Sequence, residues 1–198
     1  SNLPISVDTC RANVAKSALE HGIEIINDIS GLKYDDKMID VIRKYRPSLI
    51  LCAFDSKTVV GDIQSTKNLL KDSLKIAKIA GIPSNKIVLD PAIGFFRKTG
   101  KGSFFTKIKS DWLERDLSII QNLKSIKQQY PILISVSNKS FIGKLLGKEN
   151  VSDRLFGSLA AEVVSVLNGA DIIRTHNVAE TKDAITIAVK LSKRHKGL

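Results

Sequence analysis

Two cysteines in 198 residues, Cys10 and Cys52, are too few and too far apart for a disulfide framework or a thiolate metal centre. Both are expected as reduced thiols packed as small apolar groups, which fits a cytoplasmic protein. Apolar runs are short, and none approaches the ~20 residues that a membrane-spanning helix needs. The opening Ser1-Asn2-Leu3-Pro4 has neither the basic start nor the apolar stretch of a signal peptide. Acidic residues are scarce beside basic ones, 20 against 31, which gives a formal net charge of +11. That excess favours anionic partners. The lysines are spread along the whole chain, so a generally basic surface and small phosphates are favoured over a nucleic-acid stripe. No Gly-x-Gly-x-x-Gly follows a strand, which weakens any dinucleotide-binding reading.

What remains is a regular alternation. Short apolar, largely β-branched runs predict strands at Ile5–Thr9, Ile23–Ile29, Leu49–Ala53, Lys86–Pro91, Ile132–Val136 and Ala170–His176. Between them, apolar residues at helical spacing predict helices over about 11–21, 36–45, 69–80, 112–126, 140–146, 153–167 and 179–191. Gly22, Gly81 and Gly169 stand where such helices stop. The stretch Phe54–Ser65 reads as loop, and a longer loop runs from about 95 to 110. Strand and helix alternate six times, with strands of the buried type, so the chain is an α/β protein built on a parallel sheet in one domain over 1–198. Polar residues gather where the strands end: Asp8, Asn27, Asp90, Lys139, Arg174 and His176. Those ends carry the site in a TIM barrel or an open doubly wound sheet. At the fifth strand, Ser137, Asn138 and Ser140 are suited to cap the next helix, and its free N–H groups beside Lys139 make an anion-receptive corner.

Taken in order, several of these segments resemble dihydropteroate synthase: Asp8 in Ile-Ser-Val-Asp-Thr, Ile26-Asn27-Asp28-Ile29, Leu89-Asp90-Pro91 with Gly94-Phe95, Ser137 to Gly143, Gly157 to Ala161, and Arg174 to Thr181. The resemblance implies a partial TIM-type (β/α)8 barrel whose six units correspond to the third through eighth, without the first two. The implied reaction joins 4-aminobenzoate to 6-hydroxymethyl-7,8-dihydropterin diphosphate and releases diphosphate, in folate biosynthesis. The implied cofactor is Mg2+, held through the substrate diphosphate and the absent first strand, with no metal ligand within this chain. In the implied roles, Asp90 and Asn27 read the pterin edge and Asp8 stabilises cationic character as the carbon–oxygen bond breaks. Arg174 and His176 grip the diphosphate, Lys139 contacts the pterin, Ser140 receives the benzoate carboxylate, and Phe95 walls the aminobenzoate ring. This chain alone is expected to be inactive.

Plainer roles stand beside these. A strand-end Asp8, Asn27 or Asp28 can cap a helix, Asp90 before Pro91 can start a turn, and His176 can be a hydrogen-bonded structural histidine. His21 and His195 are given no catalytic role, and Gly143 and Gly157 serve close helix packing. The chain also departs from the family pattern. Asn138 stands for an arginine, Asn177 for an aspartate, and Leu51-Cys52-Ala53-Phe54 for a Met-His-Met-like strand end. The run Phe95 to Phe105 carries a bulky residue and an insertion where the family has Gly-Phe-Gly-Lys-Thr. It reads as an active-site loop in preference to a nucleic-acid stacking platform. The alternatives are a pterin-binding methyltransferase or a non-catalytic incomplete barrel that binds a ligand or partner. An unpaired sheet edge predicts aggregation, rearrangement or homo-oligomerisation through that edge, and a dispersed, strictly monomeric species in sedimentation velocity would count against it.

Overall fold

A computed structural model of the chain describes residues 3–99, 102, 104–127 and 129–193. His195 and parts of the 95–110 segment lie outside them. Four strands, β1 (Ser6–Asp8), β2 (Ile25–Asp28), β3 (Ser48–Cys52) and β4 (Ile87–Asp90), pair in parallel in that order. A parallel bridge from Leu89 to Ile132 carries the array on to β7 (Leu133–Ile134), which pairs in parallel with β8 (Ile172–Ile173). The six predicted strands are therefore the six of this array, in chain order and all parallel. Among the described residues no strand pairs β8 with β1, so the barrel-like array stays open.

Parallel strands must be covered on both faces, and the interior strands are. Ile26, Leu49, Leu51 and Leu89 are completely buried. Each such side chain contributes about 1.5–3 kcal/mol. β1 and β8, with an unpaired flank each, keep exposed and half-buried residues. The connecting helices are α1 (Ala12–Glu20), α2 (Met38–Tyr45), α3 (Ile63–Ile79), α4 (Trp112–Gln121), α5 (Leu123–Lys127), α6 (Ser140–Leu146), α7 (Leu155–Leu167) and α8 (Val178–Lys193). None of the described helices is long and apolar enough to cross a membrane.

Three local expectations need correction. The stretch read as loop to Ser65 ends earlier, because Asp62 and Ser65 form a reciprocal capping box that starts α3 at Ile63. The single helix expected over 112–126 is broken at Asn122, where the backbone leaves helical geometry and the side chain bonds back to the Ser118 carbonyl. Within the 95–110 loop, β5 (Phe96–Arg97) pairs in parallel with β6 (Thr106–Lys107), and Val59 bridges Ile108. That segment is thus tied at its base to the β3–α3 connection.

The reading of Gly157 as a packing residue fits the structure: an added Cβ would sit 2.5 Å from Ile142 Cγ2 and 2.8 Å from Leu146 Cδ1. α6 and α7 cross there at a distance that only hydrogen allows.

Lys33 fastens the β2–α2 connection to β3 and α3. Its ammonium donates to the carbonyls of Phe54 (2.8 Å) and Leu69 (2.9 Å). Burial lowers its pKa to about 8, with Asp72, Asp55 and Asp28 opposing the shift. Above that pH the folded chain has released a proton that the unfolded chain keeps until about 10.4, so this residue makes stability rise across that window. Urea denaturation of wild type and Lys33→Met between pH 7 and 10 should show the difference moving in the wild type's favour by about 1–3 kcal/mol.

Candidate active site

Because the strands are parallel, their C-terminal ends lie on one side, and a cavity of about 540 Å³ opens there. That volume suits a drug-sized ligand. Asp8, Asn27, Asp90, Phe95, Lys139, Arg174 and His176 all line it. Seven of the eight residues singled out from the sequence thus meet in one place. Ser140 does not line the cavity; it stands one residue beyond Lys139 and its hydroxyl accepts from Arg97 Nη2 at 2.6 Å.

The first and last strands of the array meet across this space. Arg174, just past β8, donates through Nη2 to Asp8 Oδ2 at the end of β1. Asp8 Oδ1 accepts from the Asn27 amide. Both partners of the ion pair are about half exposed, 50% for Arg174 and 54% for Asp8, so the pair holds little stability and can open to a competing anion. His176 is placed by Ser137, whose hydroxyl lies 3.0 Å from Nδ1.

Asp90 is deeper. Burial raises its pKa, while the Ala92 N–H, Lys139 and Arg174 work against that rise. One carboxylate oxygen accepts from the Ala92 N–H at 2.7 Å. The turn role foreseen for Asp90 is therefore real, and the Cys52 side chain is a further hydrogen-bond partner of the carboxylate, which lines the cavity. Ala92 has φ +59, a left-handed conformation that costs a non-glycine residue about 1–2 kcal/mol. Asp90 on its N–H and Arg115 on its carbonyl hold it there.

Lys139 lies with Nζ 4.3 Å from the centroid of the Phe95 ring. Gly94 makes this possible: at φ +87, an added Cβ would come within 2.9 Å of the lysine Cδ. Burial pulls the Lys139 ammonium below its usual range, with Asp90 and Asp116 opposing. The turn before Lys139 uses Asn138 at φ +61, a conformation asparagine tolerates. Its N–H donates to Ser158 Oγ at 2.9 Å and its carbonyl accepts from Arg154 Nη1 at 3.0 Å. The expected helix cap is absent here: Lys139 itself is the N-cap of α6, without a side-chain cap. Ser137 and Ser140 are committed to His176 and Arg97 instead.

Sequence reasoning missed three contributors. Phe104 lines the cavity and its ring lies 5.2 Å from that of Tyr34, while Phe95 and Phe105 pair at 5.9 Å. Of the loop's aromatics, Phe95 and Phe104 are thus turned onto the cavity. Cys10 and Cys52, expected only to pack, also form part of its wall, with burial raising both thiols. The third is the buried pair Arg115–Asp116 on α4. Arg115 donates to the carbonyls of Pro91 and Ala92, to Thr66 Oγ1 and to Asp116 at 2.9 Å, and its guanidinium lies over the Phe96 ring. Asp116 accepts from the Gly94 N–H at 3.1 Å. Only adjacent opposite charges in an otherwise amphipathic helix could have pointed to them, and that pattern usually marks a solvated face.

The family described as pterin binding enzyme matches residues 1–176. The chain belongs to that family. Within it, dihydropteroate synthases are its relatives. That of Clostridium beijerinckii is 37% identical over 186 residues, which is 92% of this chain and 64% of the relative. That of Bacillus subtilis is 35% identical over 179 residues, 90% of this chain and 58% of the relative. The chain thus spans about three fifths of the length of these two relatives. Among solved structures, dihydropteroate synthase from Clostridium difficile in the presence of pteroic acid superimposes with a TM-score of 0.82 at 34% identity. That match covers 96% of this chain and 68% of the other. The Xanthomonas albilineans enzyme in complex with 7,8-dihydropteroate gives 0.84 at 27% identity, covering 97% and 70%. The six-stranded parallel array is therefore the TIM-type arrangement of this family, in its partial form.

Removing the Asp116 charge strands a guanidinium that has no water to turn to. Asp116→Asn should lower unfolding free energy by about 3–5 kcal/mol, measured by urea denaturation, because a buried ion pair broken on one side leaves the other charge uncompensated.

Proposed function

We propose that the cavity binds 6-hydroxymethyl-7,8-dihydropterin diphosphate and 4-aminobenzoate and is the seat of their condensation to dihydropteroate. One observation carries the reading: a buried carboxylate and an amide converge with an arginine and a histidine in a single cavity at the strand ends. A pterin ring presents adjacent N–H donors and ring acceptors along one edge. The carboxylate of Asp90 and the amide of Asn27 suit that edge, and Lys139 lines the same cavity. Arg174 and His176 suit the diphosphate, with the anion taking the arginine over from Asp8.

In the reaction the amine nitrogen forms a bond to the exocyclic methylene carbon, the carbon–oxygen bond to diphosphate breaks, and diphosphate leaves with the electron pair. The nitrogen then gives up a proton to solvent. Asp8 stabilises positive charge as it develops on the methylene, and Arg174 and His176 stabilise negative charge on the leaving group. Phe95 forms the apolar wall for the aminobenzoate ring, and the Ser140 end of the β7–α6 turn receives its carboxylate. Magnesium, which the family resemblance implies, has no cradle here. Among the described residues no group of three or more His, Cys, Asp or Glu could hold a metal ion. It is assigned to the substrate diphosphate. The free, buried thiols of Cys10 and Cys52 support a reducing, cytoplasmic setting.

A methyl transfer from a reduced folate would leave Arg174 and His176 without a leaving anion to hold, which is why the synthase reading is preferred. Calorimetric titration of the chain with 6-hydroxymethylpterin in magnesium diphosphate should give saturable binding that Asp90→Asn weakens about ten- to a hundredfold. Diphosphate released on mixing both substrates with a protein that carries the whole barrel reads the reaction itself, since this chain alone is expected to be inactive. Undiminished pterin affinity in Asp90→Asn would remove the assignment.

A further inference from the structure

We infer that Arg97, in the segment that departs most from the family pattern, is a specificity-determining residue that selects an amine substrate bearing a carboxylate. The inference rests on the synthase reading above and adds to it the group that recognises the far end of the aromatic amine.

The argument begins with charge. Two arginines share one buried carboxylate: Asp116 lies 2.9 Å from Arg115 Nη1 and 3.6 Å from Arg97 Nη1. The shorter contact belongs to Arg115, which is fully enclosed and needs it. Arg97 is left with neutral acceptors at hydrogen-bonding distance, the Phe96 carbonyl at 2.7 Å and Ser140 Oγ at 2.6 Å. Its side chain is only 18% exposed, so water compensates little of its charge. An arginine that is mostly desolvated and only loosely paired is a receptor for a further anion.

Its placement selects which anion. The guanidinium lies 4.2 Å from the centroid of the Trp112 ring, which fixes its plane. Ser140 accepts from Arg97, which leaves the hydroxyl hydrogen free to donate outward, so guanidinium and hydroxyl together offer two donors. Ser140 adjoins Lys139, and Lys139 covers the ring of Phe95 at the cavity wall. An aromatic ring along Phe95 that carries an anionic group would turn that group toward the Arg97–Ser140 pair. A planar carboxylate accepts two parallel bonds and fits it; a neutral amide of the same shape would set an N–H against donors. Parallel pairing of Phe96–Arg97 with Thr106–Lys107 holds the arginine on a short strand.

The test compares 4-aminobenzoate with 4-aminobenzamide, each titrated calorimetrically into the chain saturated with 6-hydroxymethylpterin and magnesium diphosphate. Wild type should bind the acid about ten- to a hundredfold more tightly than the amide. Arg97→Gln should bring that ratio close to one with pterin affinity unchanged, and Arg97→Lys, which keeps charge but loses the fork, should lower it several-fold. Trp112 is the single tryptophan. Its emission should change with added benzoate in wild type and not in Arg97→Gln. A ratio that either variant leaves at the wild-type value overturns the role of Arg97 while the synthase reading stands. Failure of wild type to bind the pterin overturns both.

Discussion

A guanidinium with no access to water organises the functional half of this molecule. Arg115 reaches from α4 to the two carbonyls after β4, to Thr66 on α3 and to Asp116 beside it. Nη1 and Nη2 find all four of these acceptors while Nε has none, and a buried charge is tolerated only when it is paired in this way, so these elements must stay where their acceptors meet it. The loop so pinned carries Asp90, the strained Ala92, Gly94 and Phe95. Asp116 extends the constraint to the Gly94 N–H and, more loosely, to Arg97. Strain at Ala92 and the close pass of Lys139 over Gly94 persist because this network over-determines the backbone around them.

A second, weaker contact complements it. The ion pair of Asp8 with Arg174 joins the two strands at the ends of the parallel array, which do not pair with each other. It is half exposed and therefore replaceable, whereas the Arg115 network is not. The cavity thus has one rigid side, formed by β4 and the β7–α6 turn, and one side whose electrostatics an incoming anion can rearrange. A leaving diphosphate needs such a division: fixed groups for the ring, and a cation that exchanges its partner.

The site residues visible in the sequence share one property: each lies at or shortly after the C-terminal end of a strand, where position along the chain dictates position in space. Asp8, Asn27, Asp90, Lys139, Arg174 and His176 are of this kind. Phe104, Arg97 and the Arg115–Asp116 pair are not. They lie in a loop or on a helix, and their part in the site depends on where the chain returns after many residues. Ser137 and Ser140 show the same limit. Their sequence context suits a helix cap, and the caps do not form because His176 and Arg97, from distant segments, take the hydroxyls.

Hydrophobic periodicity by itself determined the six strands, their parallel sense and the end of the sheet that bears function, since a buried strand followed by an amphipathic helix has few ways to pack. The start of α3 and the break at Asn122 lay beyond it, because one depends on a reciprocal cap and the other on a helix that must turn to follow the sheet. Only the tertiary structure decided which charges are shared and which are spare. A carboxylate at 2.9 Å from one arginine and 3.6 Å from another is a fact of packing, and ionic interactions between segments distant in sequence have no period for a sequence to display.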